Sequence, residues 1–161
     1  KSVAIFQGRS EAGPRALGNR SILFDPRRVD GKDYINKVKG REWYRPFAGT
    51  VLLEHANDYF DMRGLKESPF MMYAVDVKND DLPAITHVDK TCRIQTVTKE
   101  QNLHYYNLID AFKKRTGCPI LFNTSFNLAG DCIVETYEDA INAHNKSGID
   151  YIYFPEFNIL R

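Results

Sequence analysis

The segment NLHYYNLIDAFKKRTGCPILFNTSFN, Asn102 to Asn127, runs from a helix into a strand and then changes character within five residues. Tyr105, Leu108, Ile109 and Phe112 recur at i, i+3, i+4 and i+7, the spacing of one buried helix face. Lys113, Lys114 and Arg115 suit the negative end of that helix, and Gly117 can supply its left-handed cap. Pro119–Phe122 is a short apolar run of the kind found inside a sheet. A helix laid on a buried strand is therefore the unit from which the fold is read.

The same signals recur on either side. Thr136 opens a second helix, with Asp139 as its capping-box partner and Gly148 beyond its end. Lys32–Lys39 predicts a short helix with Ile35 and Val38 inward, ended by Gly40. A helical turn is expected around Arg15–Gly18, and a turn or short helix at Tyr59 and Phe60. Ser2–Phe6, Ser21–Phe24, Ala48–Glu54, Phe70–Val77, Arg93–Val97 and Ile149–Phe154 read as strands. Strands and helices alternate irregularly. The expected fold class is α/β, an α+β-like mixed sheet with flanking helices, rather than a regular doubly wound parallel sheet.

The 161 residues, 43% hydrophobic and 27% charged, suit one globular domain over 1–161. The opening Lys-Ser-Val leads straight into an apolar run with no signal-peptide pattern, so a domain of a longer chain is expected. No apolar run approaches membrane-spanning length. Cys92, Cys118 and Cys132 are odd in number and lack CxxC spacing. They suggest a reducing, cytoplasmic setting with neither zinc site nor disulfide framework. The net charge of +1 hides an asymmetry: residues 1–50 hold eleven Lys/Arg against five Asp/Glu, a balance of +6, and the remainder carries −5. An anionic partner is expected there. The basic residues lie in glycine-rich loops rather than on a polybasic helix, which argues against a general nucleic-acid surface.

Four segments carry the chemistry. GRSEAGPRALGNRS, Gly8 to Ser21, places Arg9, Arg15 and Arg20 among glycines that let backbone approach a ligand. The alternative is a surface loop whose arginines pair with Glu11 and Asp25. INKVKGREWYRPF, Ile35 to Phe47, interleaves Lys37, Lys39, Arg41 and Arg45 with Trp43, Tyr44 and Phe47. These aromatics either stack on a base or, for at least two of them, belong to the core. THVDKTCRIQTV, Thr86 to Val97, holds His87 and Asp89 at i, i+2; a hydrogen-bonded pair is favoured over two metal ligands. PILFNTSFNLAGD, Pro119 to Asp131, passes from an apolar strand into amides and hydroxyls, the kind of strand end at which α/β sheets bind ligands. A nucleophilic role for Ser125 is disfavoured because no GxSxG elbow surrounds it.

Together these segments resemble the C-terminal domain of the nodulation-type O-carbamoyltransferases, over roughly residues 4–152. The resemblance implies a YrdC-like fold, similar to threonylcarbamoyl-adenylate synthases, in which ATP with Mg²⁺ and carbamoyl phosphate yield carbamoyl adenylate. It implies as partner an N-terminal actin-like domain of the parent chain, which would carry its own metal site and transfer the carbamoyl group to a hydroxyl acceptor. Carried over residue by residue, it places Arg15, Lys39, Arg45 and Arg93 as catalytic and nucleotide-binding cations, with Asn123 and Ser125 beside them. No metal is expected in this domain. The sequence departs from the family pattern at Gly49, Lys90, Cys92 and Asp131-Cys132. Lys90, standing where the family usually has Gly, adds a cation that would bear on affinity or specificity. The readings from other classes are a non-catalytic RNA-binding module and a domain that holds nucleotide only as a regulator.

Overall fold

The computed structural model describes residues 1–161. In chain order the elements are β1 (Val3–Phe6), β2 (Arg20–Phe24), α1 (Gly31–Lys39), β3 (Ala48–Leu52), α2 (Ala56–Tyr59), β4 (Phe60–Asp61), β5 (Tyr73–Val77), β6 (Thr91–Val97), α3 (Leu103–Thr116), β7 (Ile120–Ser125), α4 (Tyr137–Lys146), β8 (Tyr151–Phe154) and β9 (Ile159–Leu160). All nine strands form one sheet in the order β4-β5-β6-β3-β7-β2-β1-β8-β9. β1/β8 and β3/β6 are parallel pairs and the remaining pairs are antiparallel. The mixed α/β sheet expected from the irregular alternation is what forms.

Each face of the sheet has its own apolar layer, because successive strand residues point to opposite sides. Ile22, Phe24, Val51, Ile94, Ile120 and Phe122 face one side with Ile35 of α1 and Ala140 and Ala143 of α4. Leu23, Leu52, Val97 and Leu121 face the other, under Tyr105 and Ile109 of α3. Asn102 caps α3, its side chain accepting from the Tyr105 backbone N–H, and Gly117 closes it in the left-handed region. The Thr136–Asp139 capping box forms as expected. Gly49 answers a packing constraint: a Cβ there would lie 2.6 Å from Cδ1 of Ile85.

Several expectations are corrected. No helical turn forms at Arg15–Gly18; that stretch is irregular loop. Residues 70–72 stay outside β5, with Phe70 and Met72 exposed. Of Trp43, Tyr44 and Phe47, Phe47 alone enters the core; Trp43 and Tyr44 are 72% and 61% exposed. His87 and Asp89 do not bond to each other. Both turn to Thr91 instead, and His87 Nε2 also meets the Phe47 carbonyl oxygen at 2.9 Å. β7 extends to Ser125, so its polar residues are ladder residues and not a loop beyond the strand.

Lys90 occupies the left-handed region at φ +64° in the turn before β6. An L side chain there is strained by roughly 1–2 kcal/mol, and glycine is not. The Lys90→Gly variant should therefore be more stable, by about 0.5–1 kcal/mol once the extra freedom of glycine in the unfolded chain is subtracted. Urea unfolding at pH 7 checks this; an unchanged or lowered midpoint contradicts it.

Candidate active site

Along the α3 face, three adjacent strands each change residue type toward one end, β7 one pleat later than β3 and β6. Leu52, Val97 and Leu121 lie under α3. Two residues back on β3 and β6, and two residues on along β7, stand Thr50, Gln95 and Asn123, all buried. One further step brings Ala48, Arg93 and Ser125. The strands thus pass from apolar to polar, and β6 on to the cation Arg93, over two pleats. At this end lies a small cavity of ≈ 100 Å³ whose lining includes Arg15, Arg41, Arg93, Asn123, Thr124 and Ser125. That is room for a phosphate- or carbamoyl-sized group, not for a whole nucleotide.

No Asp or Glu lines the cavity. Arg15, Lys39, Arg41 and Arg93 take part in none of the ion pairs, whereas Arg27, Arg28 and Arg45 are paired with Asp25, Asp30 and Glu42. Burial lowers the Arg93 guanidinium from its ordinary value, and the neighbouring charge of Arg15 adds to this. The Nε of Arg93 is buried with no partner. Burial and then Arg45 push Arg41 down to about 10. Arg41 is held by Asn36, which accepts from its Nε at 2.7 Å, and by Phe47, whose ring lies 4.1 Å beneath the guanidinium.

Lys39 sits behind this wall. Its Nζ donates to the Ser125 carbonyl oxygen at 2.5 Å and to Asn127 Oδ1 at 2.9 Å, and lies 3.2 Å from Ser125 Oγ. Ser125 Oγ in turn donates to Asn127 Oδ1 at 2.6 Å. No carboxylate compensates the charge, so burial, followed by the repulsion of Arg41, pushes the ammonium down to about 7. The structure thus brings Arg15, Arg93, Asn123 and Ser125 to one cavity, with Lys39 against Ser125. Arg45 stands apart, about half exposed and 2.7 Å from Glu42.

Three side chains read differently from expectation. Arg20 is not a loop cation: at 3% exposed it opens β2, donates to the carbonyl oxygens of Gln7 and Gly8, and stacks on Phe6. Glu11 pairs with no arginine; its Oε1 accepts from the backbone N–H groups of Leu17 and Asn19. Lys90 does not line the cavity. Arg41 and Asn127 stand in the segments singled out in the sequence but not among the site residues that the resemblance carries over. Gly40 in the left-handed region turns the chain back after α1, and this brings Arg41 to the cavity. A larger groove of ≈ 590 Å³, lined by Leu23, Leu108, Phe112, Leu121 and Leu160, lies elsewhere on the α3 face. Its one cation, Lys1, is already paired with Asp150, so it offers a polyanion nothing.

The lowered Lys39 value has a sign that stability measurements can read. Between about pH 7 and the ordinary lysine value the unfolded chain holds a proton that the native one does not, so stability rises with pH across that window. The Lys39→Met variant loses this slope. The stability difference between native chain and variant should shift by roughly 2 kcal/mol in favour of the native chain from pH 7 to 9. Parallel denaturant midpoints at the two pH values would contradict it.

Comparison with known proteins gives the family and the fold. The profile of the family described as Carbamoyltransferase C-terminus matches residues 1–161. Nodulation protein NolO of Bradyrhizobium diazoefficiens is 52% identical over 153 residues, covering 92% of this chain and 28% of that protein. The 3'-hydroxymethylcephem-O-carbamoyltransferase of Amycolatopsis lactamdurans is 38% identical over 148 residues, covering 91% of this chain and 28% of that enzyme. The chain therefore spans little more than a quarter of the length of these relatives. Full-length HypF, in its phosphate- and nucleotide-bound form, superposes with a TM-score of 0.58 at 16% identity, over 96% of this chain and 21% of that one, a likeness of fold. With the profile matched from end to end, the chain belongs to the carbamoyltransferase C-terminal domain family.

Proposed function

We propose that this domain makes carbamoyl adenylate from ATP and carbamoyl phosphate, for transfer to a hydroxyl acceptor by an N-terminal domain of the parent chain. The observation that carries this reading is the convergence of Arg15, Arg41 and Arg93, none paired with a carboxylate, on one cavity at the strand ends. Guanidiniums so placed repel one another and are stabilised by an anion with several oxygens. A reacting phosphoryl group supplies that anion, the remainder of the nucleotide lying outside the ≈ 100 Å³ cavity.

Release of carbamate from carbamoyl phosphate takes up one water and yields inorganic phosphate. A carbamate oxygen then attacks the α-phosphorus of ATP; the new O–P bond forms, the α–β anhydride breaks and pyrophosphate leaves. Arg15 and Arg93 face the charge gathering on the phosphoryl oxygens, Arg93 from β6 and Arg15 from the loop that follows β1. Asn123 Oδ1 is a buried acceptor with no donor in the protein. The carbamoyl NH₂ supplies one. Ser125 Oγ, already oriented by Lys39 and Asn127, faces the same small group. With no carboxylate in the lining, Mg²⁺ arrives with ATP and is held by phosphate oxygens and water.

Arg45 reaches the substrate only by exchanging Glu42 for it. That exposed pair is weak enough to give way. The RNA-binding reading needs a row of free cations along a surface; Arg27, Arg28 and Arg45 are each taken up by a carboxylate, which leaves Arg9 and Lys37 in the basic first third as exposed unpaired cations outside the cavity.

Two outcomes follow. By calorimetry, Arg15→Ala and Arg93→Ala should each weaken ATP binding at least about tenfold, the worth of one charge-assisted hydrogen bond. The same change at Arg115, exposed on α3, should leave binding within about twofold, with Arg45→Ala between. Equal affinities across the set would overturn the assignment. Second, the domain should exchange labelled pyrophosphate into ATP when supplied with carbamoyl phosphate, yet carbamoylate no sugar or aminoglycoside unless the N-terminal domain is restored. Exchange at the background rate, or a labelled carbamoyl ester made by this domain alone, contradicts the proposed division of labour.

A further inference from the structure

Arg15 lies on a loop and not on the sheet, so something must fix it. The carbonyl oxygens of the next two residues are each taken by a buried amide. Asn123 Nδ2 donates to the Ala16 oxygen at 3.1 Å, and Gln95 Nε2 donates to the Leu17 oxygen at 2.9 Å. These carbonyls accept only, which sets both amides nitrogen-first toward the loop. Gln95 Oε1 then accepts from Thr50 Oγ1 at 2.9 Å, and Asn123 Nδ2 donates to Thr50 Oγ1 at 2.9 Å and lies 3.2 Å from Gln95 Oε1. Thr50, Gln95 and Asn123 are 0%, 4% and 1% exposed. They form a closed ring of side chains across three neighbouring strands, and its outward bonds go to the loop.

From this ring we infer that Thr50 and Gln95 are positioning residues for Arg15: they touch no substrate, and they hold the loop so that its guanidinium meets the anion without reordering. The inference rests on the proposed anion site but not on the identity of the anion. A buried ring of three polar side chains is expensive to keep if it only fills space, since Leu and Val serve that purpose one pleat away in the same sheet. Its function is to give a glycine-rich loop one conformation. Gly18 reports the same close fit, because a Cβ there would lie 2.2 Å from the Tyr105 ring of α3.

The test has two arms on the 161-residue chain. Without any ligand, amide hydrogen exchange is followed in Thr50→Val, Gln95→Met and Thr50→Ser. The first two should speed exchange at Leu17, Gly18 and Asn19 at least about tenfold while β2 and β7 stay protected; Thr50→Ser, which keeps the hydroxyl, should match the native chain. With ATP as probe, Gln95→Met should weaken binding about tenfold in the native background and less than twofold when Arg15→Ala is already present, because a residue that acts through Arg15 loses its effect with it. Unchanged loop exchange, equal behaviour of the Val and Ser variants at position 50, or losses that simply multiply across the Gln95/Arg15 cycle would overturn the inference. If the native chain binds no ATP, the nucleotide reading falls and the exchange arm still decides the clamp. If Gln95→Met unfolds, Thr50→Val carries the same cycle.

Discussion

The constraint on which this domain turns is repulsion between like charges held close together. Arg15, Arg41 and Arg93 share one small cavity, and no carboxylate lines it. In water such groups separate; at the rim of a sheet they cannot, and each pair of them is unfavourable by an amount that grows as solvent is excluded. The rest of the domain meets that penalty by rigidity. Arg93 is fixed by β6, Arg41 by Asn36 and the Phe47 ring, and Arg15 by a loop pinned from below. A binding partner relieves the strain when it brings negative charge. On the proposed reading, that relief is what favours the anion-bound domain.

How the strands reach this arrangement was partly legible in the sequence. The i, i+3, i+4, i+7 stripe of α3 and the Thr136–Asp139 box are local signals, and they appear in the structure nearly where the residues put them. The abrupt change at Phe122–Asn123 is also local, and it marks the end of the sheet at which the cationic cavity lies. What it does not show is that the strand continues through it. Pairing of Asn123 and Ser125 with Leu23 and Ser21 is long-range, and no pattern inside 119–131 contains it.

The positive first third illustrates the same limit from the side of charge. Eleven basic residues among fifty look like one field in the sequence. In three dimensions they divide. Arg27 and Arg28 find carboxylates two residues away, Arg45 finds one three residues back, and Arg20 is spent on backbone carbonyls. Lys1 pairs with Asp150; Arg9, Lys32 and Lys37 are in no ion pair and do not line the cavity; and only Arg15, Lys39 and Arg41 lie at it or behind it. Short-range pairs of this kind can be read from i, i+2 and i, i+3 spacing, so Arg45 opposite Glu42 was open to suspicion. Arg20 was not, because its partners are the Gln7, Gly8 and Glu135 carbonyl oxygens, the last of which comes from 115 residues further along the chain.

The placing of β1 has a consequence for how the chain is made. Its residues 3–6 pair on one side with β2, which follows almost at once, and on the other with β8, which emerges from the ribosome nearly 150 residues later. Through most of synthesis one edge of β1 therefore presents free N–H and C=O groups, and Ser2 lacks the Asp150 carboxylate that later takes its N–H. The sheet can assemble from β2 to β7 around the site, but it is not sealed until residues 150–154 arrive. A chain stalled before residue 150 would leave β1 exposed as an adhesive edge strand.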